Sequence, residues 1–279
     1  LKDAYVTPTV TSTSASLKTA KVKSAKYATE KATYNINGHK FTIPHDLILS
    51  WIKVDKQGKV SLDQNAVLTY VKQLNDKYHT YHTTRQFKST ARGTVSVSGG
   101  FYGWTIKTEA EAKALATEIL KGKDFTRSPI TSGSGYNNKG TDIGNTYVEV
   151  DKENQHMYVY VDGKLKVSTD IVTGKPGKHA TTTGVWYIWN KEKNATLKGD
   201  NDDGSSYSQP VSYWMPFDDT GEGIHDSSWQ TQYGGTWYKK HGLHGCVNTP
   251  PSVVKKVFAA VRGRPPVLLC YFDSNLTIP

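Results

Sequence analysis

His241-Gly242-Leu243-His244-Gly245-Cys246-Val247-Asn248-Thr249-Pro250 sets one of only two cysteines in 279 residues on a glycine-flanked turn. A helix is predicted directly after it, with Thr249 as cap, Pro250 at the first position, Val254, Val257, Phe258 and Val261 on one face, and Gly263 as the stop. Such a turn suits a nucleophile. Glycines let a substrate come close, a helix N-terminus favours a thiolate, and backbone N–H groups on the turn can face a developing oxyanion. A free thiol, with a pKa of about 8.5, still needs a base or a cation. His225, His241 and His244 are the local candidates, and spacing alone does not choose among them. Side chains close together on a tight turn diverge, which favours His225, 21 residues upstream in Gly223-Ile224-His225-Asp226.

Outward from this turn the chain is strand-rich. Tyr147 to Val150, Met157 to Val161, Leu165 to Val172, Val185 to Trp189 and Val267 to Phe272 have strand character, and Asp162-Gly163 is a type I′ hairpin signal. Turn formers crowd Phe125 to Gly144 and mark a boundary. Before it, Tyr34 and Ile36 lead through Asn37-Gly38 to Phe41 and Ile43, a hairpin. A helix follows with Ser61 as cap and Val67, Tyr70, Val71, Leu74 and Tyr78 at helical spacing. Gly93 to Val97 reads as a strand. A second helix has Thr108 and Glu111 as a capping box, Ala112, Leu115, Ala116 and Ile119 as its face, and Gly122 as its stop. The expected organisation is a linker over 1–33, an α+β domain over 34–126, a linker over 127–144, and a mostly β domain over 145–279 carrying the chemistry.

No apolar run approaches the ~18 residues of a membrane span. The chain begins at Leu1, without a signal-peptide pattern, and the expectation is that a targeting or anchoring segment precedes it. The net charge of +10 is uneven: residues 1–126 hold 19 Lys and Arg against 10 Asp and Glu, a net +9. A basic face attracts polyanions generally, and no nucleic-acid motif contains these residues, so nucleic acid is not an expected partner.

Taken together, the His225 and His244-Gly245-Cys246-Val247-Asn248 segments resemble the signature of the L,D-transpeptidase (YkuD-type) family, an upstream His followed by Ser/Thr-His-Gly-Cys-hydrophobic-Asn. Thr181-Thr182-Thr183-Gly184-Val185 is similar to the family's Thr-Pro-Thr-Gly strand start, and Arg85-Gln86-Phe87 through Trp104 resembles the peptidoglycan-binding domain that precedes it in Gram-positive enzymes. The resemblance implies Cys246 as nucleophile, His225 as base, the Asp226 carbonyl as orienter of the imidazole, and N–H groups around His244 and Gly245 as the oxyanion site. Asn248 would support the turn. Leu243 stands where the family has a hydroxyl, so the hydrogen bond that hydroxyl would make is missing.

The implied fold is a β-sandwich with one helix after the cysteine. The implied reaction joins third stem residues of peptidoglycan through a thioester and releases D-Ala, with tetrapeptide stems as donor and acceptor. It needs no cofactor and no metal. Carbapenems would acylate Cys246, anionic wall polymers would be further partners, and the location would be the outer face of the envelope. Competing readings are an L,D-carboxypeptidase using water, a non-catalytic wall-binding protein, a Cys246–Cys270 disulfide, and zinc on His225, His241, His244 and Cys246. His-x-Cys is tighter than ordinary zinc knuckles, which weighs against the last. Tyr213, Trp214, Trp229 and Tyr233, between the motif segments, are the candidates for a substrate cleft. His179 is set aside with the remaining histidines as an ordinary surface or packing residue.

Overall fold

The structure, a computed structural model, describes residues 15–261 and the backbone of the strand 266–270. The expected helix stop at Gly263, the residues Tyr271 and Phe272, and the Cys270 side chain lie outside the described residues. Two compact units are formed, Leu1–His79 with Trp104–Asp142, and Thr80–Gly103 with Ile143–Pro279.

The first unit begins with α1 (Ala15–Thr29). A linker is the expectation here, because large apolar residues are few. Alanine and lysine are nonetheless good helix formers, and Ala20 is buried where α1 packs on α2 (His45–Trp51). Next, β1 (Ala32–Ile36) and β2 (His39–Thr42) make the expected hairpin, with Tyr34 opposite Phe41. Its turn residues, Asn37 at φ 49° and Gly38 at φ 86°, have the left-handed conformation of a type I′ turn. After α2 (His45–Trp51), β3 (Ile52–Val54) and β4 (Val60–Leu62) comes α3 (Gln64–Tyr78). Its cap is Asp63, whose Oδ1 accepts from Asn65 N at 3.0 Å and Ala66 N at 3.3 Å. Ser61, the expected cap, is held in β4.

The hairpin β5 (Arg85–Ser89) and β6 (Gly93–Val97) follows, and the chain returns to the first unit through β7 (Trp104–Ile106), α4 (Thr108–Ile119), β8 (Phe125–Arg127) and β9 (Thr131–Gly133). The expected capping box on α4 does not form: Thr108 Oγ1 donates to Glu109 Oε2, and the cap residue Lys107 makes no side-chain cap bond. Glu111 is fully buried and serves the core instead. It accepts from the Tyr34 hydroxyl, from Arg127 Nε and Nη2 at 2.8 Å each, and from Ile130 N at 2.8 Å. Deleting one partner of such a buried pair leaves an uncompensated charge, typically at a cost of about 3–5 kcal/mol.

Two boundaries differ from the sequence reading. The 127–144 stretch is not a free linker, because β9 pairs with β7 and the first unit runs to Asp142. The β5–β6 hairpin, expected in the first domain, belongs to the second unit. Phe87 and Val97 pack with Ile143 and Val185, Ser89 Oγ donates to Glu149 Oε1 at 2.8 Å, and Arg92 Nε donates to Asp151 Oδ2 at 2.8 Å. An alternating strand must bury one face somewhere, and the buried carboxylates of Glu149 and Asp151 need these donors.

The second unit adds β10 (Tyr147–Asp151), β11 (His156–Val161), β12 (Lys164–Asp170), β13 (Gly184–Tyr187), β14 (Glu192–Asp200), β15 (Ser206–Pro216), β16 (Gly223–Asp226), α5 (Tyr238–His241), β17 (Val247–Thr249), α6 (Pro251–Ala260) and β18 (Pro266–Cys270). One sheet has the order β12-β11-β10-β18-β13, the other β14-β15-β16-β17. Val148, Val150, Met157 and Trp186 from the first share a core with Met215, Ile224 and Val247 from the second and with Val254 and Val257 of α6. This is a β-sandwich with a covering helix.

The start of α6 is shifted from expectation. Pro250 is the cap and Pro251 the first helical residue, while Thr249 lies in β17. A residue before proline is steered away from helical angles, so both Thr249 and Pro250 are extended.

Candidate active site

Strands β16 and β17 run parallel, with His225 opposite Asn248 and Ile224 opposite Val247. That pairing brings together two segments 21 residues apart in the chain, and both Cys246 and His225 line one pocket of about 160 Å³.

The ring of His225 is buried, and its Nδ1 lies 2.8 Å from the carbonyl oxygen of Asp226. A carbonyl only accepts, so Nδ1 carries the proton and Nε2 keeps a lone pair. The imidazole lies near two indoles, with centroids 5.9 Å from Trp214 and 5.7 Å from Trp229. Burial lowers its pKa and holds it neutral. The Asp226 carboxylate does separate work, accepting from Ser212 N at 3.0 Å and Tyr213 N at 2.9 Å and so anchoring β15 beside the histidine.

Cys246 is half-buried, its thiol free and its Sγ 3.8 Å from the Gly221 carbonyl. Protein packed around the sulfur pushes the thiol up to about 12, with the carboxylates of Glu222 and Asp218 adding to the effect and a bond from the Gly223 backbone opposing it. The resting pair is therefore a neutral thiol and a neutral imidazole. A thiolate stabilised by the following helix, the sequence expectation, is not what the fold builds, because β17 separates Cys246 from the start of α6. A nucleophilic role for this sulfur would require its proton to leave as the new bond forms.

The turn is tightly backed. Gly245 has φ 83°, and a Cβ there would lie 2.3 Å from Glu222 Oε1. A Cβ on Gly174 would lie 2.7 Å from the Cα of Gly245, and Gly174 N donates to Thr181 Oγ1 at 2.9 Å. Asn248 is buried, and its Nδ2 donates to Val172 O at 3.0 Å and Cys246 O at 3.3 Å, tying the turn to the segment that follows β12, where Val172 and Asn248 form an isolated bridge. Leu243 is 44% exposed and contributes an apolar side chain to the pocket.

The other histidines separate clearly. His241 stacks on Trp237 with centroids 3.5 Å apart, outside the pocket. His244 lines the pocket between Tyr207, stacked at 5.0 Å, and His179, edge-on at 4.9 Å. His179 in turn contacts Asp202, its Nε2 2.9 Å from Oδ2, so it has a place beside the site that its sequence context did not signal. Among the described residues no group of three or more His, Cys, Asp or Glu could hold a metal ion.

Of the four aromatic cleft candidates, Trp229 lines the pocket. Trp214 stands near His225 without lining the pocket, Tyr213 packs on Phe258, and the Tyr233 hydroxyl donates to Ser227 O at 2.6 Å. The remaining wall comes from the β14–β15 hairpin and its turn: Leu197, Asn201, Tyr207 and Gln209. Leu197, Asn201 and Gln209 were missed because the hairpin is polar at most positions. The alternation of Ala195 and Leu197 with polar residues was the available signal.

Residues 145–269 match the YkuD family, described as the L,D-transpeptidase catalytic domain, and residues 10–127 match a putative peptidoglycan binding domain. No curated protein matches the chain. Among solved structures, the Ldtfm-avibactam carbamoyl enzyme is 50% identical, with a TM-score of 0.86 over 92% of this chain and 100% of that one. A cysteine-to-serine mutant of the Enterococcus faecium L,D-transpeptidase is 51% identical, with a TM-score of 0.84 over 89% of this chain and 98% of that one.

Proposed function

The chain belongs to the L,D-transpeptidase family, a cysteine-dependent acyltransferase of peptidoglycan, and we propose that Cys246 is its nucleophile and His225 its base. The observation that carries this assignment is the 2.8 Å bond from His225 Nδ1 to the Asp226 carbonyl, which leaves Nε2 as an acceptor in the pocket that also holds Cys246.

In the first half-reaction the thiol proton passes to His225 Nε2 as Sγ bonds to the carbonyl carbon of the third stem residue. Backbone N–H groups of the His244–Cys246 turn face the oxyanion. The tetrahedral intermediate collapses to a thioester, and the terminal D-Ala leaves with the proton from the imidazolium. In the second half-reaction a side-chain amine of a neighbouring stem attacks the thioester, His225 takes its proton and returns it to the departing sulfur, and two third residues become linked. Both proton transfers use one neutral imidazole, in keeping with the lowered pKa of His225. Incubation with a purified disaccharide tetrapeptide is expected to yield, by mass, a cross-linked dimer that has lost one D-Ala. Tripeptide alone would make the protein an L,D-carboxypeptidase with water as acceptor, and unchanged tetrapeptide would leave only wall binding.

Peptidoglycan is the substrate and the cell wall the place of work. Among the described residues no helix is long and apolar enough to cross a membrane. Anionic wall polymers are proposed as further partners of the basic residues 1–126, which carry a net +9. Such attraction is screened over about 8 Å at physiological ionic strength, so retention on purified sacculi should fall as salt rises. Equal sedimentation at low and high salt would remove this part of the reading.

A further inference from the structure

Glu222 immediately precedes β16, and its side chain is buried behind the Cys246 turn. Oε2 accepts from Thr182 N at 2.9 Å and Oε1 from Thr182 Oγ1 at 2.9 Å, so the carboxyl grips the Thr181-Thr182-Thr183 segment. The same Oε1 lies against Gly245, leaving no room there for a Cβ. Its backbone is fixed as well: Glu222 N donates to Asp218 Oδ1 at 2.6 Å, and its carbonyl accepts from Phe217 N at 3.1 Å. One carboxyl thus touches the residue next to the nucleophile and the segment that backs it.

Attack by Cys246 builds negative charge on sulfur as its proton leaves and then on the carbonyl oxygen. An ionised carboxylate beside the turn opposes both, and in a buried setting that opposition is poorly screened. We propose that Glu222 is a positioning residue whose protonation state sets the pH range of Cys246 acylation, its neutral form assisting attack and its ionised form resisting it. The charged groups acting on the carboxyl are Asp218 on the preceding turn and Lys152 after β10, whose Nζ donates to Thr181 O and lies 3.3 Å from Thr183 Oγ1. Burial, opposed by the bonds from Thr182, raises the carboxyl to about 7, with Asp218 adding and Lys152 opposing. The switch therefore falls near neutral pH.

The proposal rests on Cys246 as nucleophile, and the test separates the two. Single-turnover acylation by imipenem is followed from pH 5.5 to 9 in wild type, Glu222→Gln and Glu222→Ala, with folding checked by circular dichroism and Cys246→Ala as the blank. Gln keeps an oxygen for the Thr182 N–H but never ionises. The ratio of Glu222→Gln to wild type should be near one at low pH and rise to about 3- to 10-fold above pH 8, the size of a modest like-charge effect on a neighbouring titration. Glu222→Ala loses the grip on Thr182 and should be slow throughout. In wild type, carboxyl ¹³C NMR should give a Glu222 midpoint well above the usual carboxylate range. A ratio that does not change with pH, or an ordinary carboxylate midpoint, overturns the proposal. No acylation in wild type would instead overturn the nucleophile assignment.

Discussion

The His225→Ala variant is expected to acylate about 10²- to 10⁴-fold more slowly than wild type in single turnover, because general-base assistance is worth about that much and no ionised thiol is available to replace it. The thiol is held up to about 12, so without a base the fraction of thiolate at neutral pH is negligible. His244→Ala should cost much less. Its ring stacks on Tyr207, but the backbone N–H proposed to face the oxyanion survives the substitution. The pH profile adds a sign. Burial lowers His225, so the acid limb of wild type should lie below the ordinary histidine value of about 6.5, and this limb should vanish in His225→Ala. A more severe loss in His244→Ala, with His225→Ala near wild type, would transfer the role of base to His244.

Cys246→Ala should abolish covalent labelling altogether. Intact mass after exposure to a carbapenem is expected to show one adduct on wild type, one on Cys270→Ala, and none on Cys246→Ala, with peptide mapping placing the adduct on the 246 peptide. The physical ground is that an acyl adduct needs a sulfur, an acceptor for its proton and donors for the oxyanion in one place. Cys246 shares its pocket with His225 and sits on a turn of two positive-φ residues, His244 and Gly245. An adduct that persists in Cys246→Ala would place the nucleophile elsewhere.

Much of the scaffold was legible because its signals are local. The turns Asn37-Gly38 and Asp162-Gly163 need left-handed backbone, and both adopt it. The faces of α3 and α6 follow from periodicity, with Val67, Val71 and Leu74, and Val254 and Val257, buried where the spacing places them. Caps were less legible. Ser61 and Asp63 are equally good cap residues by type, and only the pairing of β3 with β4 excludes the first. Glu111 fits a capping box by spacing, but its burial next to Tyr34 and Arg127 gives its carboxylate stronger donors.

The order of residues alone marked a cysteine on a glycine turn, with histidine upstream, as the candidate centre of the chemistry, since residue type and turn propensity are properties of short segments. Three decisions were left to the tertiary structure. Bringing His225 into the pocket that holds Cys246 depends on the parallel pairing of β16 with β17, a contact between segments whose separation carries no local mark. Assigning the β5–β6 hairpin to the catalytic unit depends on the buried Glu149 and Asp151 that it satisfies. The protonation of the thiol depends on burial and on Glu222 and Asp218, and desolvation is set by everything packed around an atom rather than by its neighbours along the chain.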